Sequence, residues 1–169
     1  LRGDRGAHRA QVGALVTPAP VTPDALAALA AEAGRAILAV YHGVEAAAVE
    51  RKGDDSPLTE ADRRSHAVIM AGLAALSPAV PVVSEEDDGG DPAERRTGDY
   101  WLVDPLDGTK EFLKRTGEFT VNIALVRDGV PVAGVVHAPV LGVTWITTAA
   151  GAERWADGRR EPIGVAIPA

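Results

Sequence analysis

Apolar positions recur at helical spacing near the start of the chain. A threonine, a proline and an acid at Thr22-Pro23-Asp24 are typical of a helix start, with the proline at the first helical position. The apolar residues that follow fall three or four positions apart, at Leu26, Leu29, Ala33, Ile37 and Val40. This pattern predicts an amphipathic helix that continues to Tyr41 and ends at Gly43.

A second helix is predicted to begin at Thr59-Glu60-Ala61-Asp62, with Thr59 as N-cap and Asp62 at the capping-box position. Its packed face comprises Ala61, Ser65, Val68, Gly72, Leu73 and Leu76. Ser77-Pro78 ends the helix. The helical period turns Asp62 toward the interior side, so it can cap the helix, contribute to a site, or do both.

Shorter apolar runs between polar breaks predict strands in the rest of the chain. These strands are residues 81–84, 100–103, 120–127, 130–137, 142–148 and 163–167, and a short polar strand is also predicted at residues 48–51. Asp128-Gly129 is a compact hairpin signal, residues 155–158 suggest another turn, and residues 89–99 form a polar surface loop. Two helices followed by mostly antiparallel strands predict an α+β fold with helices on one face of the sheet.

Composition narrows the possible classes of protein. The chain has 169 residues, 46% of them hydrophobic, which suits one domain or a piece of a larger one. A net charge of -7 argues against nonspecific binding to nucleic acid or anionic membrane. The absence of cysteine excludes disulfides and thiolate metal sites and is compatible with a cytoplasmic location. No apolar run approaches the roughly 20 residues of a membrane span.

Both ends of the chain are unusual. Residues 1–21 are rich in Arg, Gly, Ala and Pro and are expected to be a disordered leader, with residues 22–169 as the folded part. The chain begins at Leu1 and stops at Ala169, directly after a predicted strand. The sequence is therefore expected to be a fragment.

The most informative stretch is Asp104–Thr109, which follows the buried strand at residues 100–103. Its proline biases Asp104 toward extended backbone, after which Asp107 can swing back beside it. Gly108 permits a positive φ, and Thr109 is predicted as the N-cap of a short helix. Because amides at a helix start attract anions, the stretch offers carboxylates for a cation beside N–H groups for a phosphate.

Three segments carry acids toward what could be one site: Asp62, Glu85, and Asp104 with Asp107. Two unit charges about 4 Å apart repel by roughly 4 kcal/mol at an effective dielectric constant of 20. Gathering four such groups therefore requires cations. Mg²⁺ prefers carboxylates, carbonyls and water, which these acids and the Leu106 carbonyl can supply.

Other polar and aromatic residues have structural explanations. Glu86, Asp87 and Asp88 are expected to form a solvated acidic turn, the last two without a direct role. The histidines, which do not share a metal-ligand spacing, are interpreted as structural or surface residues: His42, His66 and His137. The tryptophans in apolar strands are predicted to be in the core: Trp101 and Trp145.

Three motifs together resemble, in order and spacing, those of the inositol monophosphatase superfamily of Mg²⁺-dependent, lithium-sensitive phosphatases. They are Ser56–Asp62, Ser84–Asp87 and Asp104–Thr109. Lys110-Glu111-Phe112 and Gly117–Leu125 are most similar to the 3′(2′),5′-bisphosphate nucleotidase branch. The resemblance covers roughly Pro23 to Ile163. It implies a layered α/β sandwich of the sugar-phosphatase type, with two N-terminal helices packed on a largely antiparallel sheet.

The resemblance also implies roles for individual positions. The ligands of two or more Mg²⁺ ions would be Glu85, Asp104, the Leu106 carbonyl and Asp107. Glu85 and Thr109 would orient and help deprotonate the attacking water, and Asp62 would support that water or an additional ion. Substrate binding would involve Glu85, Leu106, Asp107, and the amides of Gly108 and Thr109.

The implied reaction is hydrolysis of a small phosphorylated nucleotide by direct attack of metal-activated water, without a phosphoenzyme. The 3′-phosphate of 3′-phosphoadenosine 5′-phosphate is released to leave AMP, which supports sulfate assimilation. Family members continue further and carry a Trp-Asp motif with another metal ligand. Nothing after Asp107 matches that motif, because Trp155-Ala156-Asp157 has a different spacing. The chain is therefore expected to hold the N-terminal, metal-binding part.

Three alternatives remain. The substrate could be an inositol or sugar monophosphate, and the chain could be a non-catalytic fragment that binds Mg²⁺ or phosphate. Haloacid-dehalogenase-like phosphatases carry Asp-x-Asp-Gly-Thr after a strand, with the first aspartate as nucleophile. Here two residues separate Asp104 from Asp107, which does not fit that geometry.

Overall fold

The computed structural model describes residues 21–43, 56–86 and 98–164. Several sequence predictions concern residues outside these ranges. They are residues 1–20 of the leader, the strand at 48–51, Asp87 and Asp88, residues 89–97 of the polar loop, and residues 165–167 of the last strand.

The described residues contain three helices and one mixed sheet. The helices are α1 (Pro23–Gly43), α2 (Pro57–Leu76) and α3 (Thr109–Lys114). The strands are β1 (Val82–Ser84), β2 (Asp99–Asp107), β3 (Thr120–Arg127), β4 (Val130–Ala138), β5 (Val143–Thr148), β6 (Gly151–Ala156) and β7 (Arg159–Ile163). The strands lie in sequence order; β1 is parallel to β2, and all other neighbours are antiparallel. The predicted α+β fold with a largely antiparallel sheet is confirmed.

Helix α1 begins as predicted. The Thr22 hydroxyl accepts a hydrogen bond from the Ala25 amide at 3.2 Å, and the Thr22 carbonyl accepts from Leu26 at 3.0 Å. In the described part of the chain, α1 is the one helix long and apolar enough to cross a membrane by length and composition. Its buried residues pack against α2 and the sheet, as those of a core helix do.

Helix α2 begins three residues earlier than predicted. Ser56 is the N-cap, and its hydroxyl accepts from the Thr59 amide at 3.2 Å. The predicted N-cap at Thr59 and capping box at Asp62 are therefore wrong. Pro57 occupies a first-turn position, where its missing N–H is not needed. Asp62 lies beyond the first turn, and its carboxylate is not used as a cap.

One face of the sheet and the helices form the core. Helix α1 packs on β3, β4 and β5, whereas α2 packs on β1 and β2. Trp101 is 1% exposed and belongs to this core, as predicted. The same prediction for Trp145 is wrong, because its cross-strand partner is the exposed Val136 and its side chain is only half-buried on the opposite face. Strand alternation thus divides the two tryptophans between the faces.

Both predicted turns are present, but the strands on either side of the second turn differ from the prediction. Asp128 and Gly129 have φ of 49° and 79°, which confirms the predicted hairpin between β3 and β4. Asp157-Gly158 forms the predicted second turn, which joins β6 to β7. Strand β6 was not predicted, and β7 precedes most of the predicted strand at 163–167. Both strands are rich in charged residues, so they lack an apolar signature.

His137 is buried beneath α1, where a Cβ on Gly34 would lie 2.8 Å from the imidazole. Its Nδ1 shares a hydrogen bond of 2.9 Å with the Thr144 hydroxyl. Burial lowers the pKa of His137. The structural interpretation of this residue therefore agrees with its position.

We expect His137→Gln to reduce the loss of stability in acid. Because the pKa of His137 is lower in the folded chain, the unfolded chain binds the proton more readily, and stability falls as pH decreases below about 6.5. Urea unfolding across this range should show a shallower loss for the variant. The exposed His42→Gln is the matched control; identical pH profiles for all three proteins would contradict the expectation.

Candidate metal and phosphate site

A β-bulge in β2 places two aspartates on one face of the sheet. Asp104 pairs with Asn122 and Asp107 pairs with Thr120, so two residues of β2 face the single Val121. In a regular strand, positions three apart point to opposite faces. The extra residue changes that parity and brings both carboxylates to the side away from the helices.

The strand does not end at Val103, as the sequence pattern predicted, but continues through Asp107. Two contacts fix the bulge. The buried Ser65 hydroxyl of α2 donates to the Pro105 carbonyl at 2.7 Å. The Leu106 amide donates to Asp104 Oδ1 at 3.2 Å, which orients that carboxylate. The acids are therefore held by strand backbone rather than by a free loop.

Strand β1 and helix α2 bring further acids to this end of β2. Because β1 runs parallel to β2, its end lies beside the same edge, where the Glu85 amide donates to the Val103 carbonyl at 3.0 Å. Glu85 is thereby next to Asp104. Asp62 reaches the same region from the N-terminal part of α2.

Burial and the proximity of these acids raise the pKa values of Asp62 and Asp104. Burial raises the pKa of Asp62 to about 8, and a hydrogen bond with Glu86 and the charges of Glu86, Asp104 and Glu85 add to the shift. Burial also raises the pKa of Asp104 to about 6, followed by repulsion from Glu85 and Asp107. Glu86 is exposed and lies in a turn, as predicted, and it also contributes a charge next to Asp62.

The donor set fits a hard cation. Asp62 Oδ1 is buried and has no hydrogen-bond partner among the described residues, which leaves an acceptor for a water molecule or an ion. Carboxylates, a carbonyl and water are the oxygen ligands that Mg²⁺ uses. Within the three described ranges, no group of three or more His, Cys, Asp or Glu side chains is arranged as a metal site by itself.

The turn after Asp107 is tightly packed. Gly108 has φ of 97° and is the N-cap of α3, so the predicted N-cap at Thr109 is wrong and Thr109 is the first helical residue. A Cβ on Gly108 would lie 2.9 Å from the Glu118 carbonyl oxygen. Glycine is therefore needed for both its conformation and its size.

Aromatic contacts fix α3 relative to α1. The Phe112 ring packs against Tyr41 and Phe119, with ring centroids 5.2 and 5.4 Å away. The Arg115 guanidinium lies 4.0 Å from the centroid of the Tyr41 ring and donates to the Tyr41 carbonyl. Thr109 is consequently held on a short but well-anchored helix.

Sequence reasoning missed Asn122. Its Nδ2 donates to Asp107 Oδ2 at 3.1 Å, and its Oδ1 accepts from the Thr120 hydroxyl at 3.2 Å. A polar side chain within the apolar run at residues 121–126 was the available signal. Its meaning depended on the cross-strand register, which the sequence does not specify.

The face of the sheet opposite the helices carries an open cavity of about 610 Å³. Glu85, Asp104 and Asn122 line part of it. Most of the remaining lining is apolar and includes Leu102, Val136, Trp145 and Ile163. The acidic cluster thus borders an apolar surface.

The comparisons with known proteins agree on one family. The inositol monophosphatase family matches residues 19–166. The 3′(2′),5′-bisphosphate nucleotidase CysQ of Escherichia coli (strain K12) is 51% identical over 144 residues, which cover 84% of this chain and 58% of that protein.

Solved structures give the same result. The crystal structure of CysQ from Bacteroides thetaiotaomicron, a bacterial member of the inositol monophosphatase family, aligns with a TM-score of 0.69 and 42% identity, covering 85% of this chain and 52% of that one. The crystal structure of 2′AMP-bound SaIMPase-II aligns with a TM-score of 0.61 and 28% identity, and the match covers 76% of this chain and 45% of that one. The chain therefore spans only about half the length of these proteins.

We expect Asp62→Asn to stabilise the chain at high pH when divalent cations are absent. The pKa of Asp62 is higher in the folded chain than in the unfolded chain, so this carboxyl lowers the free energy of unfolding as pH rises from about 4 to about 8. Urea unfolding in EDTA should show a higher midpoint for the variant at about pH 8 and little difference at about pH 4. An equal difference at both pH values would contradict this expectation.

We expect Gly108→Ala to destabilise the chain by about 1–3 kcal/mol, because the positive φ and the contact with the Glu118 carbonyl both oppose a Cβ. Gly98→Ala is the matched control. Its φ is 90°, but no atom of the described residues, apart from its chain neighbours, lies within 4 Å of the position that its Cβ would occupy, so it isolates the conformational cost. Equal urea midpoints for the two variants would show that the steric contact contributes nothing.

Proposed function

The chain belongs to the inositol monophosphatase family, and from this premise we propose that it is the metal-binding part of a Mg²⁺-dependent 3′(2′),5′-bisphosphate nucleotidase. The reaction is removal of the 3′-phosphate of 3′-phosphoadenosine 5′-phosphate to give AMP. The supporting observation is the convergence of acids from α2, β1 and β2 at one end of the sheet. The similarity to relatives named as bisphosphate nucleotidases supports this choice of substrate class.

The proposed ligands are hard oxygen donors on rigid backbone. Glu85, Asp104 and Asp107, together with the Leu106 carbonyl, would hold two or more Mg²⁺ ions. When bound, Mg²⁺ neutralises phosphate charge, lowers the pKa of water and stabilises the leaving oxygen. The close carboxylates provide the negative charge that makes such binding favourable.

The remaining residues would position water and phosphate. Asp62 Oδ1, a buried acceptor without a partner among the described residues, would accept a hydrogen bond from water or support an additional ion. Glu85 and the Thr109 hydroxyl would orient the attacking water and help remove its proton. The Gly108 and Thr109 amides would donate to the phosphate, beside Leu106 and Asp107.

The rest of the complete protein would supply the nucleoside pocket. The chain covers 58% of the Escherichia coli relative, and the apolar cavity beside Asp104 lies on the face of the sheet that the helices leave open. The proposal therefore concerns the full-length gene product. We assign it to the cytoplasm and to sulfate assimilation, in keeping with the nucleotidase reaction.

An inositol or sugar monophosphatase is the second candidate. Its support is the fold shared with 2′AMP-bound SaIMPase-II, a protein whose name places it among inositol monophosphatases. The identity of 51% to a bisphosphate nucleotidase, compared with 28% to that structure, favours the nucleotidase. Parallel assays with 3′-phosphoadenosine 5′-phosphate and an inositol monophosphate distinguish the two.

We expect Asp104→Asn in the full-length gene product to reduce Mg²⁺-dependent phosphate release from 3′-phosphoadenosine 5′-phosphate to the background rate. The substitution removes a charged ligand while preserving its shape. Asp99→Asn is the matched control, since Asp99 lies on the same strand and is paired with Arg127.

Retained turnover in Asp104→Asn would refute the metal assignment. Covalent labelling of Asp104 as an aspartyl phosphate would instead support the haloacid-dehalogenase-like alternative. A full-length protein that binds Mg²⁺ but releases no phosphate from either substrate would support the non-catalytic alternative.

A further inference from the structure

Asn122 faces both carboxylates of the bulge. Its cross-strand partner is Asp104, and its side-chain amide donates to Asp107 Oδ2 at 3.1 Å. It therefore lies beside one of the two β2 positions that the bulge brings to one face and contacts the carboxylate of the other. Farther along this face, the side chains of β3 and β4 are small or apolar, as at Ala124 and Val136. Asn122 and the neighbouring Thr120 are thus polar residues at the end of the sheet where the acids converge.

Asp107 and Thr120 together hold the Asn122 amide in one orientation. The carboxylate of Asp107 can only accept, so the NH₂ group points toward it, and the Thr120 hydroxyl donates to Asn122 Oδ1 at 3.2 Å on the other side. The reverse orientation would place the amide oxygen against a carboxylate oxygen, where both groups can only accept. Thr120 itself pairs with Asp107 across the strands. The result is a chain of two hydrogen bonds that ends on one oxygen of Asp107.

This chain leaves the other oxygen of Asp107 available for an ion. Asp107 is exposed, and the hydrogen bond from Asn122 restrains its carboxylate. An exposed carboxylate without such a contact samples several rotamers, and ordering it costs conformational entropy when an ion binds. A hydrogen bond to one carboxylate oxygen removes part of that cost in advance. Such outer contacts typically change metal affinity or activity by about 10–100-fold.

We propose that Asn122, held in place by a hydrogen bond from Thr120, is a positioning residue that fixes Asp107 for binding of a divalent cation. The inference rests on the proposed function, since it assigns Asp107 to that cation. It adds a residue outside the acidic motifs and explains why an amide interrupts an apolar strand face. Asn122 acts through Asp107 and does not contact the phosphate.

The test uses the full-length gene product and MgCl₂ as the probe. Asn122→Leu keeps the branched shape of the side chain but removes both hydrogen bonds. Thr120→Val removes the orienting hydroxyl, and Thr120→Ser restores it. Thr148→Val, at the end of β5 and outside the lining of the apolar cavity, is the control for loss of a hydrogen-bonded hydroxyl from the sheet, because the Thr148 hydroxyl donates to the Gly151 carbonyl at 3.0 Å.

We expect Asn122→Leu to weaken Mg²⁺ binding by about 10-fold in titration calorimetry. The Mg²⁺ concentration for half-maximal phosphate release should rise by a similar factor. Saturating Mg²⁺ should restore kcat, and KM for the nucleotide should then match that of the parent protein. Thr120→Val should change Mg²⁺ binding in the same direction, whereas Thr120→Ser and Thr148→Val should behave as the parent does.

Unchanged Mg²⁺ affinity in Asn122→Leu and Thr120→Val would overturn the inference while leaving the proposed function intact. A loss of activity that saturating Mg²⁺ does not restore would also overturn it, because that loss indicates a general structural defect. If Asn122→Leu fails to fold, the Mg²⁺ affinities of Thr120→Val and Thr120→Ser test the inference instead. If the parent protein neither binds Mg²⁺ nor releases phosphate, the proposed function and this inference both fail.

Discussion

Repulsion among closely spaced carboxylates at the ends of β1 and β2 is the constraint on which the site depends. Asp62 and Asp104 are partly removed from water and lie near further acids, so the pKa of each is raised. Isolated buried charges are strongly unfavourable unless they are paired or neutralised. This cluster must therefore hold protons or cations, and the fold must keep the acids together against their repulsion.

Hydrogen bonds to main-chain carbonyls hold the acids together against this repulsion. Ser65 binds the carbonyl of Pro105, which fixes α2 to the bulge, and the Glu85 amide binds the carbonyl of Val103, which fixes β1 to β2. These contacts join three separate elements through main-chain groups. The aromatic cluster around Phe112 also holds α3 against α1. A rigid frame of this kind pre-organises charged groups before any ion arrives.

The two faces of the sheet differ in what they contact. One face buries Trp101, Val103 and Ile123 against the helices and stabilises the domain. The other face carries the acids at one end and an apolar cavity beside them. Exposed apolar surface of this extent commonly marks a place where another part of a protein or a ligand packs. The proposed nucleoside pocket in the remainder of the full-length protein is consistent with that pattern.

The sequence by itself determined the elements whose signals are local. The helical periodicity of α1, the turn at Asp128-Gly129 and the alternation in β3 depend on neighbouring residues, and they were predicted close to their observed bounds. The resemblance of the three motifs to a phosphatase superfamily was likewise readable from residue order, and the family match supports it. By contrast, the polar strands β6 and β7 were missed or displaced because their pairing with neighbours, rather than an apolar pattern, makes them strands.

Tertiary structure decided the details of the site. The spacing of Asp104 and Asp107 would place them on opposite faces of a regular strand, and only the pairing with β3 shows the bulge that reverses this. The face assignment of Trp145, the involvement of Glu86 and the contact between Asn122 and Asp107 likewise depend on strands and helices distant in sequence. Local residue order specifies which groups are available, but hydrogen-bonded register and burial decide which of them meet and how strongly their charges interact.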